Sequence, residues 1–434
     1  MITEHRVPRW LFDAMAEGSG GAEAVRELAL MQRSKHVLML RGVLTEARAA
    51  AHDQFPMTRR GYDVLAKAQG HDPDAADMVI SHSSVGAWAK HTVRSLRGEA
   101  AAPGAEPHLM CAVGAAAAIR ARLPVQIEVP VGHGAVMLPT LGIAAAKGDH
   151  AVVRSTPAGA VVDSAARRVV IPPDPHADAP GWQGLRRIRV GSFDALVDDL
   201  DPFRMPGAPD LTARLGAAET EAWAEVFRQA LPLLERHHSV PAGEVAAAVK
   251  VIVPRDDPVS GVVSSSSPET FGAVAMSQPT DACVLAETLV HEVQHVKLSA
   301  LLDMVSLTRP DEGNRFYAPW RDDPRPARGL LQGAYAYLGV SGFWRRQRLH
   351  ADGSARIRAE AQYERWRTAT ALVTGTLMSS GTLTGNGTEF VRSMSRTLRS
   401  WMAEPVAEQA RILARQEADR HRRNWESANG PIPA

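Results

Sequence analysis

The sequence predicts an α+β protein that is mostly helical and carries a small mixed sheet. Apolar residues recur at helical spacing through the first hundred residues and again through the last third of the chain. Between these parts, from Leu123 to about Ile171, polar and apolar residues alternate as they do in strands. Helix-period segments on both sides of a strand-period segment are typical of this class.

Changes in this pattern divide the 434 residues into three predicted regions. Residues 1–122 form an N-terminal helical region, residues 123–250 a mixed β/α platform, and residues 251–434 a mainly helical region. The predicted strands lie at 125–129, 135–139, 151–154, 169–171, 185–190 and 271–277. The predicted helices include 108–122, 215–237, 243–249, 282–305, 330–346 and 355–377.

Composition excludes several classes of partner and compartment. Lys and Arg number 49 against 48 Asp and Glu, so a net charge of +1 gives no electrostatic case for binding nucleic acid or an anionic membrane. Cys111 and Cys283 are the only cysteines, so no disulfide framework is implied. The chain start lacks an export profile, and the longest apolar run, around 110–119, is too short to span a bilayer. We therefore expect a cytoplasmic protein.

The segment from His291 to His295 is an H-E-x-x-H motif, and its spacing dictates a chemistry. Residues four apart on an α-helix lie one turn above each other, so both imidazoles can bind one metal ion while Glu292 stands beside it. Asp281 or Thr280 can cap the helix start. The sequence therefore predicts a zincin-like metal-binding helix with His291 and His295 as ligands.

Two imidazoles leave a divalent ion under-coordinated, so a third protein ligand is expected. Glu360 and Glu364 lie four apart on the helix predicted at 355–377, and either carboxylate could reach the histidine pair. Gln332 is a third candidate, although a neutral amide is a poor ligand for a doubly charged ion. We predict Glu364.

A loop pinned by prolines follows the metal-binding helix, at residues 314–326. It contains Trp320, Arg321 and Arg325 together with two aspartates, and such restraint suits a loop that lines a site. The alternative is a rigid surface loop with paired charges. The strand predicted at 271–277 has two interpretations as well, an exposed edge that pairs with an extended peptide or a core strand.

The order of these features resembles that of the H-E-x-x-H-motif peptide-modification proteins, a family found beside ribosomally made peptide natural products and sometimes fused to radical S-adenosylmethionine enzymes. The likeness spans most of the chain, and the tryptophan-arginine-proline loop is its most specific part. The similar stretches are 34–36, 138–142, 291–298, 318–326, 329–335, 343–345 and 380–384.

The resemblance implies an enzyme that uses Fe(II), 2-oxoglutarate and O₂ to hydroxylate the β-carbon of a residue in a precursor peptide. Two histidines and one further ligand leave three positions open, which serves Fe(II) oxygenases as well as zinc hydrolases. The far carboxylate of 2-oxoglutarate needs a cation, and Arg325, or failing it Arg321, suits that role. Trp320, Gln332 and Tyr335 complete the predicted cofactor-binding set.

Two alternatives remain at the level of sequence. In a zinc metallopeptidase Glu292 would take a proton from a metal-bound water as general base, whereas in the hydroxylase it would orient neighbouring groups. In a non-catalytic peptide-binding partner the metal would be structural, with a closed fourth ligand.

Overall fold

The computed structural model describes residues 5–100, 102, 104–165, 167–208, 211–256 and 263–432. The helices are α1 (Arg9–Ala16), α2 (Gly21–Ala49), α3 (Phe55–His71), α4 (Pro73–Ile80), α5 (Ser83–Leu96), α6 (Met110–Arg120), α7 (Ala217–His237), α8 (Ser239–Ala248), α9 (Ala282–Leu302), α10 (Ala327–Gln347), α11 (Gly353–Ser379), α12 (Gly385–Met402) and α13 (Glu408–Asn429).

The strands are short and all precede α9 in the chain. They are β1 (Val125–Pro130), β2 (Ala135–Leu138), β3 (Gly142–Ala145), β4 (His150–Thr156), β5 (Gly159–Ser164), β6 (Arg167–Ile171), β7 (Trp182–Gly184), β8 (Arg186–Val190), β9 (Phe193–Val197), β10 (Val251–Pro254), β11 (Ser264–Ser265) and β12 (Ala273–Met276). The predicted α+β class, mostly helical with small sheets, is confirmed. Among the described helices, none combines the length and apolarity needed to cross a bilayer.

The chain folds into two compact units, each assembled from separated segments. The first unit comprises the described residues of Ala29–Ala224 and Val249–Gln278. The second comprises His5–Leu28, Glu225–Ala248 and the chain from Pro279 onward. Helices α2 and α7 each begin in a segment of one unit and end in a segment of the other.

Three sheets lie in the first unit. Strands β1, β4, β5 and β6 form an antiparallel sheet in that order, and β2, β3 and β7 form a second. The third has the order β11-β12-β10-β9-β8, in which β9, β10 and β12 run parallel. Parallel strands of this kind are buried on both faces, and every residue of β10 and β12 is buried.

The predicted strand at 271–277 corresponds to β12, and its environment decides between the two interpretations. It pairs with β10 on one side and with β11 on the other, so both of its edges are already hydrogen-bonded. Because β12 lies between two neighbouring strands and all four of its residues are buried, it lacks the exposed edge that pairing with a substrate peptide needs, and that alternative was wrong. The core-strand interpretation is confirmed.

Alanine and glycine set the packing of the predicted helix at 108–122, which is α6. Its residues from Met110 to Ala118 are all buried, and it packs closely on α3. A Cβ at Gly61 would lie 2.5 Å from the Met110 carbonyl oxygen, and one at Gly114 would lie 2.4 Å from the Gly61 oxygen. Only glycine at both positions allows this approach of the two backbones.

The second unit is helical and positions the histidine motif. Helix α9 packs on α10, α10 on α11, and α11 on both α12 and α13. Asp281 caps α9 as predicted, since its Oδ1 accepts hydrogen bonds from the amides of Cys283 at 2.8 Å and Val284 at 2.9 Å. Leu285, Leu289 and Val293 are buried along its apolar face, which fixes the rotation of the helix about its axis.

Candidate metal centre

The two histidines of the motif converge on one point. On α9 their side chains project from successive turns, and the Nε2 atoms lie 3.1 Å apart with the rings edge to face at 4.8 Å. Metal–imidazole bonds of about 2.0–2.1 Å would let one ion contact both nitrogens at this separation. The predicted pair therefore fits a shared divalent ion, with Zn²⁺ and Fe²⁺ both compatible with imidazole ligands.

Gln332 on α10 fixes the ring of His295. Its Oε1 lies 3.1 Å from His295 Nδ1, while its Nε2 donates a 3.1 Å hydrogen bond to Ser299 Oγ. An amide oxygen only accepts, so His295 carries its proton on Nδ1 and presents the Nε2 lone pair to His291. Gln332 thus orients His295 beside the candidate metal site. A histidine that binds a metal ion through one ring nitrogen usually donates a hydrogen bond from the other, and Gln332 accepts that bond here. Its amide oxygen is committed to His295 rather than to a metal ion.

His291 is held in the form that binds metals. Its ring lies edge to face against Tyr337 at 5.1 Å. Burial, followed by the neighbouring His295, lowers the pKa of His291 to about 4. The imidazole is therefore neutral near pH 7, so no proton has to leave before a metal ion binds.

An aromatic wall flanks the pair and consists of Trp320, Tyr337 and Trp366. Tyr337 stacks on Trp320 at 4.6 Å and packs against Trp366 at 4.3 Å. Gly333 makes room for the predicted loop residue Trp320, because a Cβ there would lie 2.3 Å from the indole nitrogen. Sequence reasoning missed Tyr337, although it follows Gly333 by one helical turn and so shares its face of α10.

Glu287 is a second missed residue. It precedes His291 by four positions and therefore lies on the same stripe of α9. Its Oε1 accepts a 2.9 Å hydrogen bond from Trp344 Nε1, and burial raises the pKa of Glu287 to about 7. A carboxyl group that titrates near neutrality beside a histidine pair is typical of functional sites. The spacing Glu287-His291-His295 was the signal that could have found it.

Neither predicted glutamate joins the histidine pair. Glu364 accepts a 2.8 Å hydrogen bond from Arg367 Nε, and Glu360 accepts from Arg356 at 3.2 Å and from the Ala407 amide at 2.7 Å. Both carboxylates are thus engaged by cationic or amide donors. Within the described residues, His291 and His295 belong to no group of three His, Cys, Asp or Glu ligand atoms that lie within 4.8 Å of one another.

The proline-pinned loop is closed and charge-paired. The backbones of Phe316 and Arg325 exchange two hydrogen bonds of 2.9 Å. Arg321 Nε and Arg325 Nη1 bind the two oxygens of Asp323 at 3.0 and 2.9 Å. The Arg325 guanidinium also lies close to Gly329, at the place where a side chain on Gly329 would stand. Gly329 precedes Gln332 by three residues on α10 and shares its face of the helix. The loop therefore carries two guanidinium groups on one carboxylate near the start of α10.

Tyr335, predicted to bind the cofactor, lies elsewhere. It is fully buried, its hydroxyl faces Met15 Sδ at 3.9 Å, and Lys297 Nζ lies 5.8 Å from its ring centroid. Residues that are two positions apart on a helix point roughly in opposite directions, so Tyr335 and Tyr337 occupy different faces of α10. Tyr337 rather than Tyr335 therefore contacts the histidine pair, because the rotation of α10 is set by packing.

A cavity of about 920 Å³ adjoins the aromatic wall. Trp366 belongs to both, and Ala369 and Leu372 extend the apolar part of the cavity along α11. Five arginines line it together with Glu364 and Asp419, and four of the five are ion-paired with carboxylates next to the cavity, those of Asp311, Glu417, Glu408 and Glu426. The arginines are Arg315, Arg365, Arg411, Arg415 and Arg422.

No protein-family model matches this chain, and no curated protein matches it either. The functional assignment therefore depends on the residues of the site.

The orienting role of Gln332 leads to a testable expectation. Gln332→Ala removes the acceptor from His295 Nδ1, and losses of this kind typically lower metal affinity about 10–100-fold. A competition titration with a zinc-binding dye measures the change. Gln332→Glu, which keeps an acceptor oxygen, serves as the matched control and should retain most of the affinity. Equal affinity in the wild type and in Gln332→Ala would exclude this role.

Proposed function

We propose that the protein is an Fe(II)- and 2-oxoglutarate-dependent enzyme of the cytoplasm that hydroxylates the β-carbon of a residue in a ribosomally made precursor peptide. The observation that carries the proposal is the convergence of His291 and His295 Nε2, with the tautomer of His295 set by Gln332. Further support comes from the paired arginines of the adjacent loop and from the cavity beside the aromatic wall.

The proposed reaction hydroxylates one peptide C–H bond and consumes one O₂ and one 2-oxoglutarate. A peptide C–H bond, O₂ and 2-oxoglutarate give a peptide C–OH group, succinate and CO₂, so one oxygen atom enters the peptide and the other enters succinate. Bound Fe(II) supplies the redox chemistry that O₂ requires. His291 and His295 would hold the ion, and we propose Glu364, which binds Arg367 in this structure, as the third ligand. Tyr337 and Trp320 exclude water from this side of the pair.

The loop arginines would hold the far carboxylate of 2-oxoglutarate. Arg325 and Arg321 share Asp323, so one guanidinium can bind an incoming carboxylate while the other keeps the aspartate paired. A guanidinium offers two parallel N–H donors to a carboxylate, which favours a fixed orientation of the co-substrate. We assign Arg325 this role because its side chain lies against the first turns of α10, the helix that carries Gln332.

The cavity would hold the peptide. Its volume of about 920 Å³ accommodates several side chains of a peptide. Trp366 lines this cavity and packs against Tyr337, whose ring contacts His291, so a peptide in the cavity would be separated from the histidine pair by these two aromatic side chains. The proposed partner is a precursor peptide, with no part assigned to nucleic acid or membrane.

A zinc metallopeptidase is the second candidate, and Glu292 is the observation that favours it. Glu292 is buried, follows His291 directly and acts electrostatically on its imidazole. In a peptidase this carboxylate would take the proton of the attacking water. In the hydroxylase it would orient the groups around the ion.

One assay separates the two candidates. The purified protein is incubated with Fe(II), ascorbate, 2-oxoglutarate and the precursor peptide encoded beside its gene, and the products are analysed by mass spectrometry. The hydroxylase proposal predicts a gain of one oxygen in the peptide with an equal amount of succinate. Cleavage of the peptide with Zn(II) alone, and no oxygen gain with Fe(II), would favour the peptidase.

Arg325→Ala tests the co-substrate site. Loss of a charge-assisted hydrogen bond pair costs about 1.5–3 kcal/mol, so the apparent KM for 2-oxoglutarate should rise at least about tenfold. The metal content should stay unchanged, because Arg325 is not a ligand. Arg328→Ala, at an exposed position in the first turn of α10, is the control and should leave KM unaltered. An unchanged KM in Arg325→Ala would remove this residue from the site.

A further inference from the structure

A second group of metal-ligand atoms lies in the first unit. His82, Asp198 and Asp201 each offer one ligand atom, and these three atoms all lie within 4.8 Å of one another. Their exposed fractions are 6%, 0% and 4%, so the group is removed from solvent. Buried clusters of an imidazole and two carboxylates occur where a cation or a proton compensates the charge.

The loop after β9 is built around the two aspartates. Asp198 Oδ1 accepts the amide hydrogens of Leu200 at 3.2 Å and Asp201 at 2.9 Å, and Asp201 Oδ1 accepts that of Phe203 at 2.8 Å. Asp201 Oδ2 accepts a 2.7 Å hydrogen bond from Ser84 Oγ. One oxygen of Asp198 thus orders the loop, while Oδ2 is left to face His82.

Two atoms of the group lack a hydrogen-bond partner within the part of the chain that the structure describes. They are His82 Nε2 and Asp198 Oδ2, both fully buried and 3.8 Å apart. This distance is too long for a hydrogen bond. Buried polar atoms are rarely left unsatisfied, because each one costs about 1–3 kcal/mol. An ion with bonds of about 2.0–2.2 Å would contact both atoms and remove that cost.

The electrostatics of the group point the same way. Asp198 and Asp201 are both buried, and their ligand oxygens lie within 4.8 Å of each other. Two carboxylates in one desolvated space repel each other, and a divalent cation between them would relieve that repulsion.

The position in the sheet also suits a ligand site. Asp198 directly follows β9, which runs parallel to β10, and β10 runs parallel to β12. Ligands of open α/β sheets bind beyond the carboxyl ends of parallel strands. His82 stands at the first position before α5 and makes no capping hydrogen bond with its side chain.

We propose that His82, Asp198 and Asp201 bind a divalent first-row transition metal ion that is separate from the histidine pair on α9. Imidazole and carboxylate ligands together favour Mn²⁺, Fe²⁺ or Zn²⁺ over Ca²⁺ and Mg²⁺. We assign this ion a structural role because all three ligand residues are almost completely buried. It ties the start of α5 to the loop after β9.

The test uses the full chain with the histidine pair removed. The variant His291→Ala/His295→Ala is loaded with Zn(II), freed of excess metal and analysed by inductively coupled plasma mass spectrometry. We expect about one tightly bound zinc per chain, as structural sites retain their ion. Adding Asp198→Asn should lower the retained zinc at least tenfold. Asp199→Asn is the matched control in the same loop, because Asp199 binds Arg214 and the Leu215 amide instead of facing His82.

The outcomes separate this site from the proposed enzyme function. No retained zinc in the double histidine variant would overturn the second site and leave the hydroxylase proposal untouched. Retained zinc that survives Asp198→Asn, or that is lost equally in Asp199→Asn, would also overturn it. Should Asp198→Asn fail to fold, the melting temperature of the double histidine variant decides, and a chelator must lower it for the proposal to stand.

Discussion

His291→Ala is expected to abolish metal binding by the motif and to lower hydroxylation at least about a hundredfold, which exceeds the effect typical of losing an orienting partner. The variant leaves His295 alone on its turn of α9, and one imidazole held by Gln332 cannot retain the ion. Metal content by inductively coupled plasma mass spectrometry and peptide oxidation by mass spectrometry are measured on the same sample.

The fold should survive this change, because the ring contacts of His291 are edge-to-face contacts with Tyr337 and His295, and no ion pair among the described residues includes it. A far-ultraviolet circular dichroism spectrum equal to that of the wild type checks this point. His350→Ala, at an exposed histidine, is the control and should keep full activity. Wild-type turnover by His291→Ala would show that the motif is not the reaction centre.

Lys297→Met is expected to destabilise the second unit by about 3–5 kcal/mol, the usual cost of leaving one partner of a buried ion pair uncompensated. Lys297 is completely buried on α9, and its Nζ donates to Glu244 Oε1 at 2.7 Å and to the Ser19 carbonyl at 3.0 Å. Glu244 also accepts from the Gly21 amide at 3.0 Å. The pair therefore joins three separate chain segments.

Urea unfolding followed by circular dichroism measures this cost. Lys297→Met combined with Glu244→Gln should recover a large part of it, since a neutral amide is cheaper to bury than a carboxylate. A loss below about 1 kcal/mol in the single variant, the level of an exposed ion pair, would show that Glu244 reaches solvent in solution. Metal affinity of the folded fraction should not change, because Lys297 projects from α9 away from the histidine stripe.

Local sequence predicts the histidine helix but not the partner of Lys297. The helix predicted over 282–305, its cap at Asp281 and the facing histidines follow from spacings of three and four residues, and the structure has them, with the helix ending at Leu302. The partner of Lys297 did not follow, because Glu244 is more than fifty residues away in the chain. A buried lysine leaves no sign of its partner in the local pattern.

The surroundings of the histidines depend on packing between α9, α10 and α11. Whether Tyr335 or Tyr337 faces His291 is set by the rotation of α10, and periodicity alone does not fix that angle within a helix that is apolar on several faces. The ion pair of Glu364 with Arg367, in contrast, is an i,i+3 contact within α11, which the local spacing allows. The group of His82, Asp198 and Asp201 was missed because its members come from a helix start and a loop over a hundred residues apart.

The origin of the oxygen atom that the peptide gains tests the proposed hydroxylation most directly. The reaction is run with Fe(II), 2-oxoglutarate and ¹⁸O₂ in unlabelled water, and the peptide is sequenced by tandem mass spectrometry. Our account predicts one ¹⁸O atom on a side-chain β-carbon, a second in succinate, and an intact backbone. A peptide cut at one bond, with its new carboxylate labelled only when H₂¹⁸O replaces water, would contradict the account and identify the motif as the centre of a hydrolase.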